Sequence, residues 1–414
     1  MSENVQSPVD KLKIAIVAGE ASGDMLGAQL IRAIKEQLLA RHPGATLELF
    51  GVGGANLAQA GLNSAFPMSV LSIGGYGLDV ISAIPKILYL RHKLIRQILA
   101  FQPDVFIGVD APDFNLSVEQ QLKQHGIKTV HYISPTIWAW RYSRIFKIKK
   151  AVDLMLCLFP LEEPLYQNEN VPAKFIGHHL ADEIELDVDT DKYREQLPVS
   201  SFQSDTSSRR RPGSTSNIFC VLLGSRTAEL NNFGRVFLEA CTLIHRQIPN
   251  AFFVFPLINQ ATHALLLKLL KELKVKFAYT ILMNQTRDAI AASDLVLAKS
   301  GTVTLEVALC KKPMIVSYKV SKFTAWLLGH KLKIPYVAQP NILLNEEVAP
   351  EILQDKATPE NLAAAFIALY ADKDRQQYMI AKFYTLHNML RKNASATGAK
   401  AVLEMLHSNR MSFQ

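Results

Sequence analysis

The sequence predicts an α/β protein built from two Rossmann-like, doubly wound domains with closing C-terminal helices. Three observations carry that prediction. Short β-branched runs alternate with helical patterns along most of the chain, the rhythm of a buried parallel sheet wound by helices. The rhythm lapses near residues 189–217 and then restarts. The 414 residues are 49% hydrophobic and 20% charged, which supplies apolar surface for more than one core of about 100–200 residues. The same balance excludes a disordered chain and a small disulfide scaffold.

Residues 13–17 read as the first strand, followed by a turn and a helical pattern over 25–40. Further strands are expected at 104–109, 128–133, 154–158 and 174–176, so that residues 1–188 form an amino-terminal domain. The stretch 189–217 is rich in Ser, Thr, Pro and Arg and reads as a linker, surface loop or insertion. Strands resume at 218–223, 251–255, 277–282, 295–298 and 314–317, giving a second domain over 218–358. From 359 to 414 only helical patterns remain, at 362–370, 376–390 and 396–407; these are expected to pack back across the domains. Two such halves bind ligands beyond the carboxyl ends of their strands.

The formal charge of +8 points to an anionic partner without choosing among nucleic acid, phosphorylated metabolite and membrane surface. Cys157, Cys220, Cys241 and Cys310 lie far apart in apolar runs, as reduced core residues of an intracellular protein do, and not as a disulfide frame or zinc site. The first residues, MSENVQSPVDKLK, lack an apolar signal core, and no stretch supplies the roughly 20 apolar residues of a spanning helix. The charge-free run 51–78 is broken by glycines and Pro67 and reads as loop and short elements.

Gly19-Glu20-Ala21-Ser22-Gly23-Asp24 stands between a strand and a helix, where glycines admit a ligand and a helix start favours anions. Asp24 or Ser22 as a helix cap is the competing reading, but capping does not call for Glu20. Neither this loop nor Gly51-Val52-Gly53-Gly54 has the G-x-G-x-x-G spacing of a dinucleotide site, which disfavours a dehydrogenase. In Gly108-Val109-Asp110-Ala111-Pro112-Asp113-Phe114-Asn115 an apolar strand delivers Asp110 to its carboxyl end, and Pro112 is expected to stop any immediate helix. Asp110 is the candidate general base, able to take a proton from an attacking hydroxyl. The competing reading makes Asp110 a turn residue and Asp113 the next helix cap.

In the second half, Gly224-Ser225-Arg226 follows a strand, and Ser300-Gly301-Thr302 follows another and opens a helix carrying Glu306. Main-chain N–H groups, hydroxyls and the Arg226 guanidinium suit a diphosphate without a metal, and Glu306 suits ribose hydroxyls. Capped helices with a solvated Glu306 are the alternative. Residues 80–99, VISAIPKILYLRHKLIRQIL, carry only Lys86, Arg91, Lys93 and Arg96 as fixed charges. Pro85 is expected to start a helix, dividing the stretch into two short helices. A basic, over-hydrophobic helix reads as an interfacial membrane contact through Val80, Ile81, Ile84, Leu88, Arg91 and Lys93, and a buried core helix as the alternative. Arg141 to Lys150 adds five basic residues, among them Arg144 and Lys147, after Trp138 and Trp140. Stacking rings with basic residues also suit nucleic acid, but the tryptophans follow a turn where they shape or rim a pocket, and no nucleic-acid motif is present. His131, His178 and His179 read as core or loop histidines.

Taken together, VAGEASGD (17–24), DVFIGVDAPDFN (104–115), HYISPTIWAWR (131–141), FIGHHLAD (175–182), LLGSRTAE (222–229), SGTVTLE (300–306) and Gln339-Pro340-Asn341 resemble the lipid-A-disaccharide synthases, in order, from about residue 12 to about residue 407. The resemblance implies a two-domain glycosyltransferase-B fold and a peripheral enzyme at the inner face of the inner membrane. It implies transfer of 2,3-diacylglucosamine from UDP to 2,3-diacylglucosamine 1-phosphate, forming a β(1→6) disaccharide with inversion and releasing UDP. Anionic lipids are then the basic segments' partners, nucleic acid is not, no cofactor is called for, and a homodimer stays open. By the same resemblance Asp110 is the essential carboxylate, Glu20 a second functional acid, and Arg226, Glu306 and Asn341 nucleotide-side residues. The sequence departs from the family pattern at Leu223, where a proline usually precedes Gly224, at Ala21, where Thr is common, and in the Ser/Arg-rich stretch 207–216. A hydrolysing or epimerising UDP-sugar enzyme of the same fold, or a non-catalytic membrane-associated protein, are the other classes.

Overall fold

The computed structural model describes residues 11–71, 78–138, 142–197, 217–319 and 335–410, without the side chains of 78–84, 409 and 410. The chain divides into two compact units, Met1–Asp182 with Leu390–Gln414, and Glu183–Met389.

In the first unit β1 (Lys11–Ala18), β2 (Thr46–Val52), β3 (Leu62–Ser64), β4 (Val105–Val109), β5 (Lys128–Tyr132), β6 (Leu154–Cys157) and β7 (Ala173–Phe175) form one seven-stranded sheet. Its order is β3-β2-β1-β4-β5-β6-β7, parallel at every pairing. The connections carry α1 (Ala21–Arg41), α2 (Ala55–Gln59), α3 (Leu78–Phe101), α4 (Pro112–Gln124), α5 (Arg144–Ala151) and α6 (Glu162–Asn168). Alternation along β1 explains the layering: Ile14 and Ile16 pack on one face with Leu30, Ile31 and Ile34 of α1. Ala15 and Val17 pack on the other with Leu94, Ile95 and Ile98 of α3 and Val118 and Leu122 of α4. Each such Ile, Leu or Val side chain contributes about 1.5–3 kcal/mol by leaving water.

After α7 (His179–Glu183) and α8 (Thr190–Glu195), the second unit builds a six-stranded sheet from β8 (Asn217–Leu222), β9 (Ala251–Leu257), β10 (Ala278–Met283), β11 (Leu295–Lys299), β12 (Met314–Tyr318) and β13 (Glu351–Leu353). Its order is β10-β9-β8-β11-β12-β13, again parallel throughout. Between and after these strands come α9 (Thr227–Gln247), α10 (Gln260–Glu272), α11 (Thr286–Ala292), α12 (Val303–Leu309), α13 (Gln339–Leu344), α14 (Pro359–Ala371) and α15 (Lys373–Leu390). The last helix, α16 (Ala394–Arg410), returns to the first unit, where Ala399, Val402 and Leu403 join the core beside α1.

Three local expectations are corrected, and strands β2 and β13 were not among those expected. α3 runs without a break through Pro85; an interior proline costs about 3 kcal/mol, but Leu94, Ile95 and Ile98 bury the later turns and packing overrides the local break signal. Pro112 starts a helix where it was expected to prevent one, because its missing N–H is an orphan at the first helical position anyway. Residues 190–195, inside the stretch read as linker, form α8, with Asp189 accepting from the Lys192 N–H at 3.2 Å. Residues 46–52 form β2, a strand that the Gly-rich run after it hid. Most of the stretch 189–217, namely 198–216, lies outside the described residues, and with it the whole Ser/Arg-rich part 207–216.

Candidate functional site

In both sheets the strand order reverses once, between β1 and β4 in the first and between β8 and β11 in the second. At such a switch point neighbouring connections leave in opposite directions and open a crevice beyond the carboxyl ends of the strands. Glu20 follows β1 and Asp110 follows β4. Gly224-Ser225-Arg226 follows β8 and Ser300-Gly301-Thr302 follows β11. The four sequence motifs therefore occupy the four strand ends that flank the two switch points.

Glu20 is exposed, in extended conformation, at the start of α1, and its side chain caps nothing. Neither Ser22 nor Asp24 is the cap: the helix has already begun at Ala21. Asp24 is buried and accepts from the N–H groups of Gly54 (2.7 Å), Asn56 (2.9 Å) and Leu57 (3.1 Å) and from the Asn56 amide (2.9 Å). Burial opposes its charge, but the Asn56, Leu57 and Gly54 donors prevail and hold its carboxyl below the usual range. Asp24 thus anchors the start of α2 to α1 and leaves Glu20 as the outward acid.

Asp110 and Ala111 both take left-handed backbone conformations, with φ of 51° and 44°. Such conformations cost non-glycine residues roughly 1–2 kcal/mol each, and the surroundings hold them. The Asp110 N–H donates to the Tyr132 carbonyl at 2.9 Å. The wholly buried Asn115 amide donates to the Asp110 carbonyl at 2.8 Å and to those of Val109 and Val17 at 3.3 Å. One side chain thereby ties the ends of β1 and β4 together. Asp113 is not the helix cap; it is exposed on the first turn of α4 and pairs with Arg144 at 2.8 Å.

Between α4 and the sheet, beside Gly108, lies a buried polar pair. Glu119 of α4 and His131 of β5 are both fully enclosed, with Nδ1 and Oε1 2.7 Å apart. Gly108 makes room for it, since a Cβ there would stand 2.2 Å from Glu119 Oε1. Beyond β6, Glu162 is buried and accepts from the Phe159 N–H at 3.1 Å and Trp138 Nε1 at 3.4 Å. Burial pushes its carboxyl up to about 8. His178 is buried, stacked against Phe159 and His179, and pushed down to about 3 by burial and then by His179. Trp140 and Arg141 lie outside the described residues.

In the second unit Leu222 to Arg226, Glu229, Lys299 and Ser300 to Val303 line a cavity of about 330 Å³. Arg226 is exposed at the start of α9. The Ser300 hydroxyl donates to the Val337 carbonyl at 2.7 Å, which fixes the turn, while Thr302 is exposed at the start of α12. Glu306 is largely covered and accepts from Arg287 Nε at 3.3 Å; burial raises its carboxyl and Arg287 opposes the rise. Glu306 and Asn341 do not line this cavity. Asn341 is wholly buried, its amide donating to Ala349 O (2.7 Å) and Glu351 Oε1 (2.9 Å) and accepting from the Ala349 N–H (2.8 Å). It braces the segment that carries Val337 and Ala338, whose N–H groups also bind Glu351.

The residues that the motif reading passed over are Asn115, Glu119, Glu162, Glu229 and Lys299. A polar side chain at a strand's carboxyl end was the available signal for Lys299, and an acid three places after Arg226 the signal for Glu229.

On the surface of the first unit, α3 exposes Lys86, Leu88, Tyr89, Lys93 and Arg96, with Leu88 47% and Tyr89 68% exposed; Arg91 is half-buried. The side chains of Val80, Ile81 and Ile84 lie outside the described residues. α5 buries Ile145, Ile148 and Ala151 and exposes Phe146, Lys147, Lys149 and Lys150. Among the described residues no helix is long and apolar enough to cross a membrane, and no cluster of His, Cys, Asp or Glu is arranged to hold a metal. All four cysteines are buried free thiols.

Comparison with known proteins bears on this arrangement. A family model described as Lipid-A-disaccharide synthetase matches residues 14–402. A lipid-A-disaccharide synthase of Dechloromonas aromatica is 42% identical over 398 residues, covering 96% of this chain and 99% of the relative. Among solved structures, the UDP-GlcNAc 2-epimerase of Neisseria meningitidis superposes with a TM-score of 0.58 at 13% identity, covering 96% of this chain and 100% of that one. The glycotransferase of kitacinnamycin gives 0.55 at 14% identity, over 97% and 100%. Those two likenesses concern the fold, the two-domain glycosyltransferase-B architecture shared by transferases and epimerases. The relationship that separates the two chemistries is the one in sequence, and by it the chain belongs to the lipid-A-disaccharide synthetase family and is a glycosyltransferase of lipid A biosynthesis.

Proposed function

We propose that the chain transfers 2,3-diacylglucosamine from UDP-2,3-diacylglucosamine to the 6-hydroxyl of 2,3-diacylglucosamine 1-phosphate, with inversion. The observation that carries this reading is Asp110: a carboxylate at a switch point, on strained main chain that Asn115 and Tyr132 hold in place. Asp110 takes the proton of the acceptor 6-hydroxyl as its oxygen bonds to C1 of the donor. The C1–oxygen bond to the diphosphate breaks, and its electron pair leaves with UDP. Glu20, exposed at the neighbouring strand end, is the second acid of that unit. In the second unit Arg226, the Ser225 main chain and the turn 300–302 stabilise the charge that grows on the leaving diphosphate. Glu306 and Asn341 support this site through Arg287 and Glu351. The exposed apolar and basic side chains of α3 and α5 favour reversible binding at an anionic membrane face, where both lipid substrates reside.

Incubating the purified protein with labelled donor and the monosaccharide phosphate tests the reading, with disaccharide and UDP as the expected products. Release of free diacylglucosamine, or a 2-epimer, in place of disaccharide would move it to the hydrolysing or epimerising class. Asp110→Asn is expected to fold and lose turnover by about 10²-fold or more; near-normal turnover would remove Asp110 from the base role.

A further inference from the structure

The cavity at the second switch point holds a charged pair that the reaction as described above does not use. Lys299 is the last residue of β11, and its ammonium lies 2.9 Å from Glu229 Oε1. The two side chains are 15% and 19% exposed and line the cavity with Ser225, Arg226 and Ser300 to Thr302. The Lys299 ammonium also sits over the Tyr318 ring at 5.5 Å, and 3.9 Å from where a Cβ on Gly301 would stand. It is therefore held over the turn that opens α12.

The other oxygen of Glu229 faces main chain. Oε2 accepts from the Ser225 N–H at 2.9 Å and the Arg226 N–H at 3.3 Å, at the start of the 21-residue helix α9. Gly224, at φ +100°, allows this approach; a Cβ there would stand 2.5 Å from Oε2. Burial opposes the Glu229 charge, but the Lys299 hydrogen bond, its charge and the two N–H donors prevail and hold the carboxyl below its usual range. One carboxylate thus collects two main-chain N–H groups at a helix start and one ammonium. This is the donor set that a phosphate group takes.

We propose that Lys299 is a phosphate-binding residue of the nucleotide site, and that Glu229 keeps its ammonium and the Ser225 and Arg226 N–H groups in place until a nucleoside diphosphate takes them over. The proposal rests on the reading of this cavity as the UDP site and adds a cation to it. Before a nucleotide binds, the carboxylate neutralises a largely covered ammonium. When the diphosphate arrives, its oxygens replace Glu229 on the same donors, and the like charge of the carboxylate turns it away from them.

The test is titration of the full-length protein with UDP, UMP and uridine at pH 8, for the wild type, Lys299→Gln, Lys299→Arg and Glu229→Gln. Lys299→Gln is expected to weaken UDP about tenfold or more, UMP less and uridine hardly at all; Lys299→Arg retains most of the UDP affinity. Glu229→Gln, which removes the competing charge, is expected to leave UDP affinity equal or severalfold higher. Unchanged UDP affinity in Lys299→Gln, beside a wild type that binds UDP, overturns the role of Lys299 alone. An equal loss for uridine and UDP makes Lys299 structural and also overturns it, and weakened UDP binding in Glu229→Gln overturns the displacement. If Lys299→Gln fails to fold, a tenfold loss in Lys299→Arg with intact uridine binding counts against a charge-based role, and retained affinity supports it. A wild type that binds no UDP sinks the donor-site reading itself, a result distinct from all of these.

Discussion

Asn115 does more for the site than its place in a helix suggests. Its single amide bonds the carbonyls of Val17, Val109 and Asp110, so removing it takes away hydrogen bonds worth about 0.5–1.5 kcal/mol each, just where the main chain is strained. Asn115→Leu is expected to lower turnover at least tenfold with little change in KM, and stopped assays beside melting curves check it; a fall in melting temperature with normal turnover would make Asn115 a fold residue only. Asp110 and Glu20 were legible in the sequence because each is a carboxylate directly after an apolar strand. Asn115 and Glu119 were not, because a polar residue on a helix looks solvated until the facing element is known, and His131, read as a core or loop histidine and wholly buried on β5, gave no sign of its partner Glu119. Glu162 carries a pH prediction. Its carboxyl titrates near 8 in the fold, against an ordinary value of 4.5. Between those values the unfolded chain has lost the proton and the native one keeps it, so stability falls as pH rises, by up to about 1.4 kcal/mol per unit. Glu162→Gln abolishes that titration, and its melting temperature should decline less than the wild type's from pH 5 to 8; equal slopes would show that Glu162 is ionised in the fold.

At the scale of elements, strands such as β1, β4, β8, β9 and β11 were legible because each is a short apolar run, largely buried on both faces. What escaped was context. β2 was hidden by the glycines that follow it, α8 by the polar stretch around it, and the continuity of α3 by Pro85, whose cost is outweighed by Leu94, Ile95 and Ile98. α3 and α5 also show why charge alone misleads. Arg144, counted among the basic residues of a membrane face, spends its guanidinium on Asp113, whereas Leu88, Tyr89 and Phe146 stand exposed beside Lys86, Lys93 and Lys147. Apolar contact area and basic charge together set interfacial affinity. The triple variant Leu88→Ser, Tyr89→Ser and Phe146→Ser is expected to bind anionic vesicles about tenfold more weakly than the wild type, with only a modest fall in melting temperature since about half or more of each side chain is already exposed. Sedimentation with vesicles measures it, and undiminished binding would place the membrane contact elsewhere.

For the molecule as a whole, the division into units does not follow the order of the chain. The first unit is discontinuous: Leu390–Gln414 belong to it although the whole second unit intervenes. The join is specific. Asp182 accepts from the N–H groups of Asn393 and Ala394 at 2.8 and 2.6 Å, a carboxylate at the start of α16. The Gln37 amide donates to the Ala396 carbonyl at 2.8 Å, and Ala399, Val402 and Leu403 are buried in the core that β1 and α1 share. Burying Val402 and Leu403 alone is worth roughly 3–6 kcal/mol, a large part of the about 5–15 kcal/mol by which a domain is stable. The second unit, Glu183–Met389, is one continuous segment with its own sheet. Two fragments should therefore behave oppositely. Residues 183–389 expressed alone are expected to unfold in one cooperative transition, while a chain ending at Leu390 should keep that transition and lose the one belonging to the first unit, because α1 is left with an uncovered apolar face. Adding α16 back as a peptide should restore part of it. Calorimetry on the full chain and the two truncations reads these transitions directly, and a first unit that melts normally without residues 391–414 would show that α16 covers the core without sustaining it.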